Sequence, residues 1–444
     1  MTAAHLWIFL PILLGGIAFL FRSGRTLYRW GTLIALGLAL LALLLPFDTP
    51  FRLAGLHLKV ASNFQFLGRS LVFERPIVYV LVILYGITAM WFYGLRAVPQ
   101  VREIVPWGLV FNGLLVALLT VRPFLYAAIL LEALGFLLLF LVRPLAKSAL
   151  RFLAHQSLAL PLLMLAAFLS GSEGDFIADP QRGPIVLALL GIGLALSVGI
   201  FPFHSWMPLM GEELHPYLST FLLWLLPFST LLFLAGFVGR FPSINDTTIS
   251  SALQISGIFM ALVGSGGIAT GRHWGRAFGY AVMIETGYGL LALSLGESGH
   301  ALMMTSLLPR SLTFIIWGFA LSVLYHHAGE LKHTSLEGIG HRLPVASIAL
   351  LLATFSLAGF PLLAAFPWRL VLWERLTELS PVLGSLFLLS LLGIFGHGLR
   401  TFKVLFVHRQ STWQQEETLT ELVLLTLGMM GIIILGLFPQ MALT

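Results

Sequence analysis

Cysteine is absent from the 444 residues of the chain, and charged side chains make up only 10% of them. The first absence excludes disulfides, thiolate metal sites, thiolate-ligated iron–sulfur clusters and cysteine nucleophiles. The second excludes a water-soluble globule, in which about a quarter of the residues are charged. Lysine is scarce as well: Lys59, Lys147, Lys332 and Lys403 are all there are. No glycine-rich phosphate loop, low-complexity region or long charged tail is present. What remains is apolar, with 58% hydrophobic residues and a mean hydropathy of +0.95. A chain of this kind needs lipid as its solvent, and we expect an all-α polytopic membrane protein. The net charge of +6 does not argue for nucleic acid, because the basic residues lie between hydrophobic runs rather than along one face.

A helix crosses the hydrocarbon with about 20 apolar residues, and about fourteen runs meet that length. They lie near 4–21, 28–46, 72–95, 104–121, 123–143, 149–171, 182–204, 215–240, 249–270, 274–296, 299–327, 344–364, 381–407 and 419–441. The first run has no basic segment before it and no small-residue cleavage site after it, so it reads as a retained helix rather than a signal peptide. Segment 365–380, with Pro367, Arg369 and Glu374, reads as a broken continuation of its predecessor. The longest polar interruption, 47–71, holds His57, Lys59, Ser62, Asn63 and Gln65, and the alternation of Leu56, Leu58 and Val60 predicts a short surface hairpin. Most basic residues follow odd-numbered runs, among them Arg25, Arg96, Lys147, Arg151, Arg272, Lys332 and Lys403. Basic loops stay on the cytoplasmic side, which puts both termini outside a bacterial inner membrane. The acidic set Glu173, Asp175 and Asp179 in loop 171–183 fits that outer face.

Ionisable residues inside the apolar runs are costly and therefore functional candidates. Glu132 has at least six uncharged residues on each side and reads as a carboxyl that takes up and releases a proton. His204 lies in Pro202-Phe203-His204-Ser205-Trp206-Met207-Pro208, where proline frees backbone carbonyls at a helix end. Glu212, Glu213 and His215 follow it and either join the same proton path or lie in a cytoplasmic loop that merely faces water. Arg276 and Glu285 stand nine residues apart on one helix, on opposite sides of it, and need different partners. Arg310 and Arg369 sit beside Pro309 and Pro367. Arginine does not deprotonate in proteins, so each either holds a carboxylate charged or repels a passing cation. His397 and Arg400 share a helical face, whereas His326 and His327 sit at a helix end and read as interfacial. No metal-ligand spacing and no nucleophile–base arrangement appears, so no catalytic centre and no bound cofactor are expected in this chain.

These landmarks together resemble the antiporter-like membrane subunits of respiratory complex I (NADH:quinone oxidoreductase), of group 4 hydrogenases and of Mrp-type cation/proton antiporters. Glu132 resembles the family's glutamate of helix 5, and residues 202–208 are similar to its P-[FL]-H-[SG]-W-L-P motif. Gly275-Arg276-Ala277-Phe278-Gly279-Tyr280 resembles the K-R-x-x-A-Y segment. Leu336–Pro344 followed by Ser356–Phe366 looks like L-G-G-L…P and then S-L-A-G-x-P-P-x-A-G-F, with Arg369 matching the basic residue beyond. The resemblance covers about 120–410. It implies N-terminal helices over 1–103, two inverted five-helix repeats over 104–240 and 241–410, and a last helix over 411–444. Helices 7 and 12 would be broken, with Pro202, and Pro361 or Pro367, as break points. It further implies a proton half-channel path using Glu132, His204, Glu285 and His397, with Arg276, Arg310, Arg369 and Arg400 modulating charge. Flavin, iron–sulfur clusters and quinone would belong to partner subunits of a multi-subunit complex. The chain length looks more like the family's shorter subunits.

The departures from the family's pattern fall on its lysines. The helix 7 lysine aligns with Ser197, the helix 8 lysine with Phe228 or Ser229, and the lysine of K-R-x-x-A-Y with Gly275. The histidine and lysine of helix 11 align with Arg310 and Phe314. Lysine serves a relay because desolvation brings its proton affinity towards neutrality, and Glu132 has lost that usual partner. Three readings stay open: a redox-coupled proton-translocating subunit, a lysine-less scaffold or coupling subunit, and a membrane subunit of a cation/proton antiporter or inorganic-carbon uptake complex.

Overall fold

The computed structural model describes all residues except 1, 22, 23, 25, 54, 55, 67, 124, 143–145, 171–181, 241–246, 408–412 and 441–444. The acidic loop around Glu173, Asp175 and Asp179 therefore lies outside the described residues. Peptide groups in lipid must bond within their own segment, and the apolar runs accordingly form helices. In chain order these are α1 (Leu10–Leu20), α2 (Leu27–Leu44), α3 (Ile77–Gly94), α4 (Ile104–Thr120), α5 (Leu125–Leu141), α6 (Lys147–Ser170), α7 (Arg182–Val198) and α8 (Trp206–Glu213). They continue as α9 (Pro216–Arg240), α10 (Thr247–Thr270), α11 (Trp274–Leu293), α12 (Gly296–Ala328), α13 (Pro344–Leu357), α14 (Phe366–Leu379), α15 (Pro381–Leu405) and α16 (Leu419–Leu437). Among the described residues sixteen helices stand where about fourteen runs were expected, because α8 and α14 are separate short helices beyond the ends of α7 and α13. Among the described residues, nine helices are long and apolar enough to cross a membrane. The chain is a helical polytopic membrane protein.

The chain forms two compact units. The first comprises 1–145, 152–197 and 232–243, and the second 146–151, 198–231 and 244–444.

In the first unit α1 packs on α4, α2 on α3, and α4 on α5. Three hydrogen bonds there pair buried donors with acceptors, as a low-dielectric interior favours. Trp7 donates to the Leu38 carbonyl at 3.1 Å, Tyr85 to the Trp7 carbonyl at 2.7 Å, and Asn112 to the Thr88 hydroxyl at 2.8 Å. Leucines such as Leu13 and Leu43, exposed by 62% and 66%, face outwards, where only lipid makes them stable. The polar interruption forms two hairpins rather than one. β1 (Pro50–Leu53) pairs antiparallel with β2 (Leu56–Lys59), and β3 (Asn63–Phe66) pairs with β4 (Arg69–Val72), which also holds β5 (Val121–Arg122).

In the second unit α11 is the central element, packed against α8, α10 and α12. All but two of its residues are buried, Arg276 and Tyr280 being the exceptions. Glycines allow its backbone to touch its neighbours. A Cβ on Gly275 would lie 2.0 Å from the Gly211 carbonyl oxygen of α8, and one on Gly279 would lie 2.4 Å from that of Met207. This is the small-residue packing that membrane helices use in place of a hydrophobic drive.

The two helix breaks have local causes. After α7, Gly199 takes φ +76°, and Pro202 caps a short 3₁₀ turn, Phe203–Ser205, that leads into α8. After α13, Gly359 takes φ +75°, and the Phe360 amide donates to the Phe355 carbonyl at 3.0 Å, closing the helix in a Schellman-type end. Pro361 lies inside that break. Pro367 sits in the first turn of α14, where its missing N–H leaves no bond unmade.

Candidate functional site: two buried carboxyls

Glu132 projects from α5 and is only 7% exposed. Ser157 of α6 donates its hydroxyl to Oε1 at 2.7 Å. α6 is otherwise apolar here, but His155-Gln156-Ser157 interrupts it with three polar residues. That triplet was the available signal for the partner, and the sequence reading passed over it. Ser197 is buried and donates to the Gly193 carbonyl at 2.9 Å, so its hydroxyl is engaged within α7.

Glu285 projects from α11 at 4% exposure, and Arg369 from the start of α14 at 2%. Arg369 Nη2 donates to Glu285 Oε1. The placement of Arg369 depends on the break: a Cβ on Gly359 would lie 2.8 Å from Arg369 Cδ, so the left-handed glycine also leaves room for the arginine stem. The guanidinium also lies 4.7 Å from the centre of the Tyr288 ring, and Tyr288 shares a 2.7 Å hydrogen bond with Ser390 of α15. Arg310 of α12, 6% exposed, stacks on Phe314 at 5.3 Å. One turn on, Thr313 lies 3.3 Å from Ser356, near the α13 end where Gly359 meets the Arg369 stem.

His397 of α15 is buried and parallel to Trp317. It lies 3.4 Å from both Arg400 and Thr401. Arg400 donates to the carbonyls of Ile268 and Gly271 at 3.1 and 2.6 Å, which anchors α15 to the end of α10. His204, half-buried in the turn before α8, stacks on Phe201 at 5.3 Å. Arg276 pairs with Glu212 at 2.5 Å, so the two charged residues of α11 do take different partners. Glu132 thus belongs to the first unit, and His204, Glu285 and His397 to the second, each with its own neighbours.

Glu212 and Glu213 are not in a loop. They end α8, where Glu213 accepts the Ser148 amide at 2.9 Å. His215 is also not simply facing water. It packs edge-on to Tyr325 at 5.5 Å, and burial, with a smaller contribution from His326, brings its imidazole down to about 4. His326, in the last turn of α12, is exposed as expected.

Two acidic residues escaped the sequence reading. Glu417 accepts the Val345 and Ala346 amides at 2.8 and 3.3 Å, capping α13 from a distant segment. Thr418 and Glu421 form a capping box on α16, a motif that the T-x-x-E spacing announces.

The lysine-aligned positions now have physical explanations. Gly275 lies against the Gly211 backbone, which leaves no volume for a lysine. Phe228 is 2% exposed and tilts against Trp224, while Phe314 meets Phe278 edge-on at 5.1 Å.

Residues 181–396 match the family described as "NADH:quinone oxidoreductase/Mrp antiporter, TM". That segment, a little under half of the chain, is what is similar to the family. The antiporter-like chain is 26% identical over 259 residues to "NADH-ubiquinone oxidoreductase chain 2" of Coturnix japonica, covering 56% of itself and 69% of that protein. Its fold superposes on a chain of the membrane-bound sulfane sulfur reductase, an archaeal respiratory membrane complex, with a TM-score of 0.85. That match has 15% identity and covers 99% of this chain and 95% of the other. A chain of the Mrp complex from Dietzia sp. DQ12-45-1b gives a TM-score of 0.82 at 14% identity over 99% and 95%. At such identities these two likenesses speak for the antiporter-like fold alone.

Proposed function

We propose that this chain is a membrane-arm subunit of a redox-driven, ion-translocating complex of the complex I type, and that it contributes a proton half-channel path through Glu132. The observation that carries the reading is a buried carboxyl held by a hydroxyl, Glu132 with Ser157, in a chain bearing the antiporter-like domain. A hydroxyl both donates and accepts, so it can follow the carboxyl between its charged and neutral forms without leaving a buried group unpaired. Two inverted repeats, over 104–240 and 241–410, would place the α7 and α13 breaks in corresponding positions, as transporter folds do. The basic loops support both termini outside in a bacterial inner membrane. Electron-transfer cofactors, namely flavin, iron–sulfur clusters and quinone, would reside in partner subunits.

A second reading is favoured by a separate observation. Ser197, Phe228, Gly275 and Phe314 replace lysines with groups that hold no proton, and Gly275 has no room for one. The second unit would then serve as a fixed-charge coupling element rather than a relay. Its His204, Glu285 and His397 are retained as path candidates only under the first reading.

The test is a gentle detergent pull-down of the tagged native protein, with partners identified by mass spectrometry. Flavin, iron–sulfur and quinone-site subunits are expected. Recovery with small antiporter subunits alone, or with a soluble zinc protein, would contradict the redox reading and favour cation or inorganic-carbon transport.

A further inference from the structure

The Glu285–Arg369 pair is not electrically complete once Arg310 is included. Two guanidinium groups and one carboxylate, all at 6% exposure or less, sum to one positive charge. The turn that carries Arg310 meets the same helix break as Arg369: Thr313 approaches Ser356, whose hydroxyl accepts the Ala365 amide at 3.4 Å, and Gly359 of that break lies against the Arg369 stem. Neither arginine can discard its proton, so the excess cannot be removed by titration. The helix termini do not remove it either. Arg369 stands beside the C-terminal end of α13 and in the first turn of α14, whose partial charges of about −0.5 and +0.5 oppose each other. The donor inventory leads to the same place. Arg310 Nη2 and Arg369 Nε and Nη1 are buried N–H groups without a hydrogen-bond partner among the described residues. The rings of Phe314, Tyr288 and Trp368 lie 5.3, 4.7 and 5.7 Å from the guanidinium carbons, within cation–π range. Thr313, one turn from Arg310, approaches Ser356 at 3.3 Å and supplies hydroxyls to the same region of α12 and α13.

We propose that Arg310 and Arg369, the latter paired with Glu285, form a binding site for a small monovalent anion. One negative charge neutralises the cluster, and an acceptor-only ligand meets three unfilled donors. A divalent anion would overshoot the charge, and a second cation would add to the excess. The site does not depend on a redox partner or on proton movement through Glu132, so it stands or falls separately from the proposed function.

The experiment uses the purified full chain in detergent, with thermal unfolding followed as sodium gluconate is replaced by sodium chloride at constant ionic strength. Chloride is the probe, and gluconate is too bulky for a buried site. The expected result is a saturable rise in Tm with chloride. R310Q leaves a neutral Glu285–Arg369 pair and should fold in gluconate while losing the chloride dependence. R310K retains the charge and should retain it. E285Q raises the net charge to two and should lower the half-saturating chloride concentration at least tenfold. A wild-type Tm indifferent to chloride, or an R310Q response equal to the wild type, would overturn the proposal. So would a chloride response that disappears when the chain is held in its native complex, since a partner's carboxylate would then be the counter-charge. R310K and R310Q together keep the test decisive if E285Q does not fold.

Discussion

Glu132 and Glu285 are the same residue type, both on helices of an apolar bundle and both nearly inaccessible, yet their partners differ in kind. In the first unit Glu132 meets a serine hydroxyl. In the second Glu285 meets an arginine, Arg369, and another buried arginine, Arg310, stands on α12. A hydroxyl accommodates a carboxyl in either protonation state. A guanidinium rewards only the charged state, because a buried ion left alone costs several kcal/mol. One chain therefore holds a carboxyl whose partner accepts either protonation state and another whose partner favours only the charged one.

The largest test of that contrast removes the guanidinium. Arg369→Leu should destabilise the chain by about 3 kcal/mol, the lower end of the range for breaking a buried pair. Denaturant or thermal unfolding in detergent measures it, and a loss below 1 kcal/mol (about one ordinary hydrogen bond) would mean that the pair is not held as described. Removing the hydroxyl should do less. Ser157→Ala is expected to cost about 1 kcal/mol, the scale of one hydrogen bond, and a cost equal to that of Arg369→Leu would erase the distinction.

The smallest effect belongs to a third carboxyl, partly exposed Glu416, which Arg342 meets with two hydrogen bonds of 2.7 and 2.6 Å. The hydrogen bond from Arg342 is the main cause that holds Glu416 below the usual carboxylate range. A depressed folded value means that the contribution is present above the ordinary carboxylate range and is lost as pH falls through the folded value. Glu416→Gln should thus change the Tm only slightly near neutrality, and the difference from wild type should vanish in acid. A difference that grew on acidification would contradict the assignment.

The helical architecture was legible because lipid enforces it: an apolar run long enough to cross has few other structures open to it. Breaks were legible where proline marked them, as at Pro202 and Pro361. Gly359, which closes α13, was not, because a glycine's positive φ leaves no trace in composition. The opposed partners of Arg276 and Glu285 followed from helical geometry alone. Identifying those partners did not, since Glu212 and Arg369 lie far away in sequence and are brought to α11 only by packing. The missing lysine at Gly275 was visible as a substitution, but its cause, contact with the Gly211 backbone, needed the fold. Ser157 sat in plain view within a polar triplet, but hydroxyls are common in membrane helices and seldom single themselves out.

The most direct test of the account is redox-driven proton uptake by the native complex reconstituted in vesicles, comparing wild type with Glu132→Gln. The account predicts a complex that assembles and transfers electrons but moves fewer protons per electron pair. An unchanged proton yield in Glu132→Gln would contradict it and leave this chain as a scaffold.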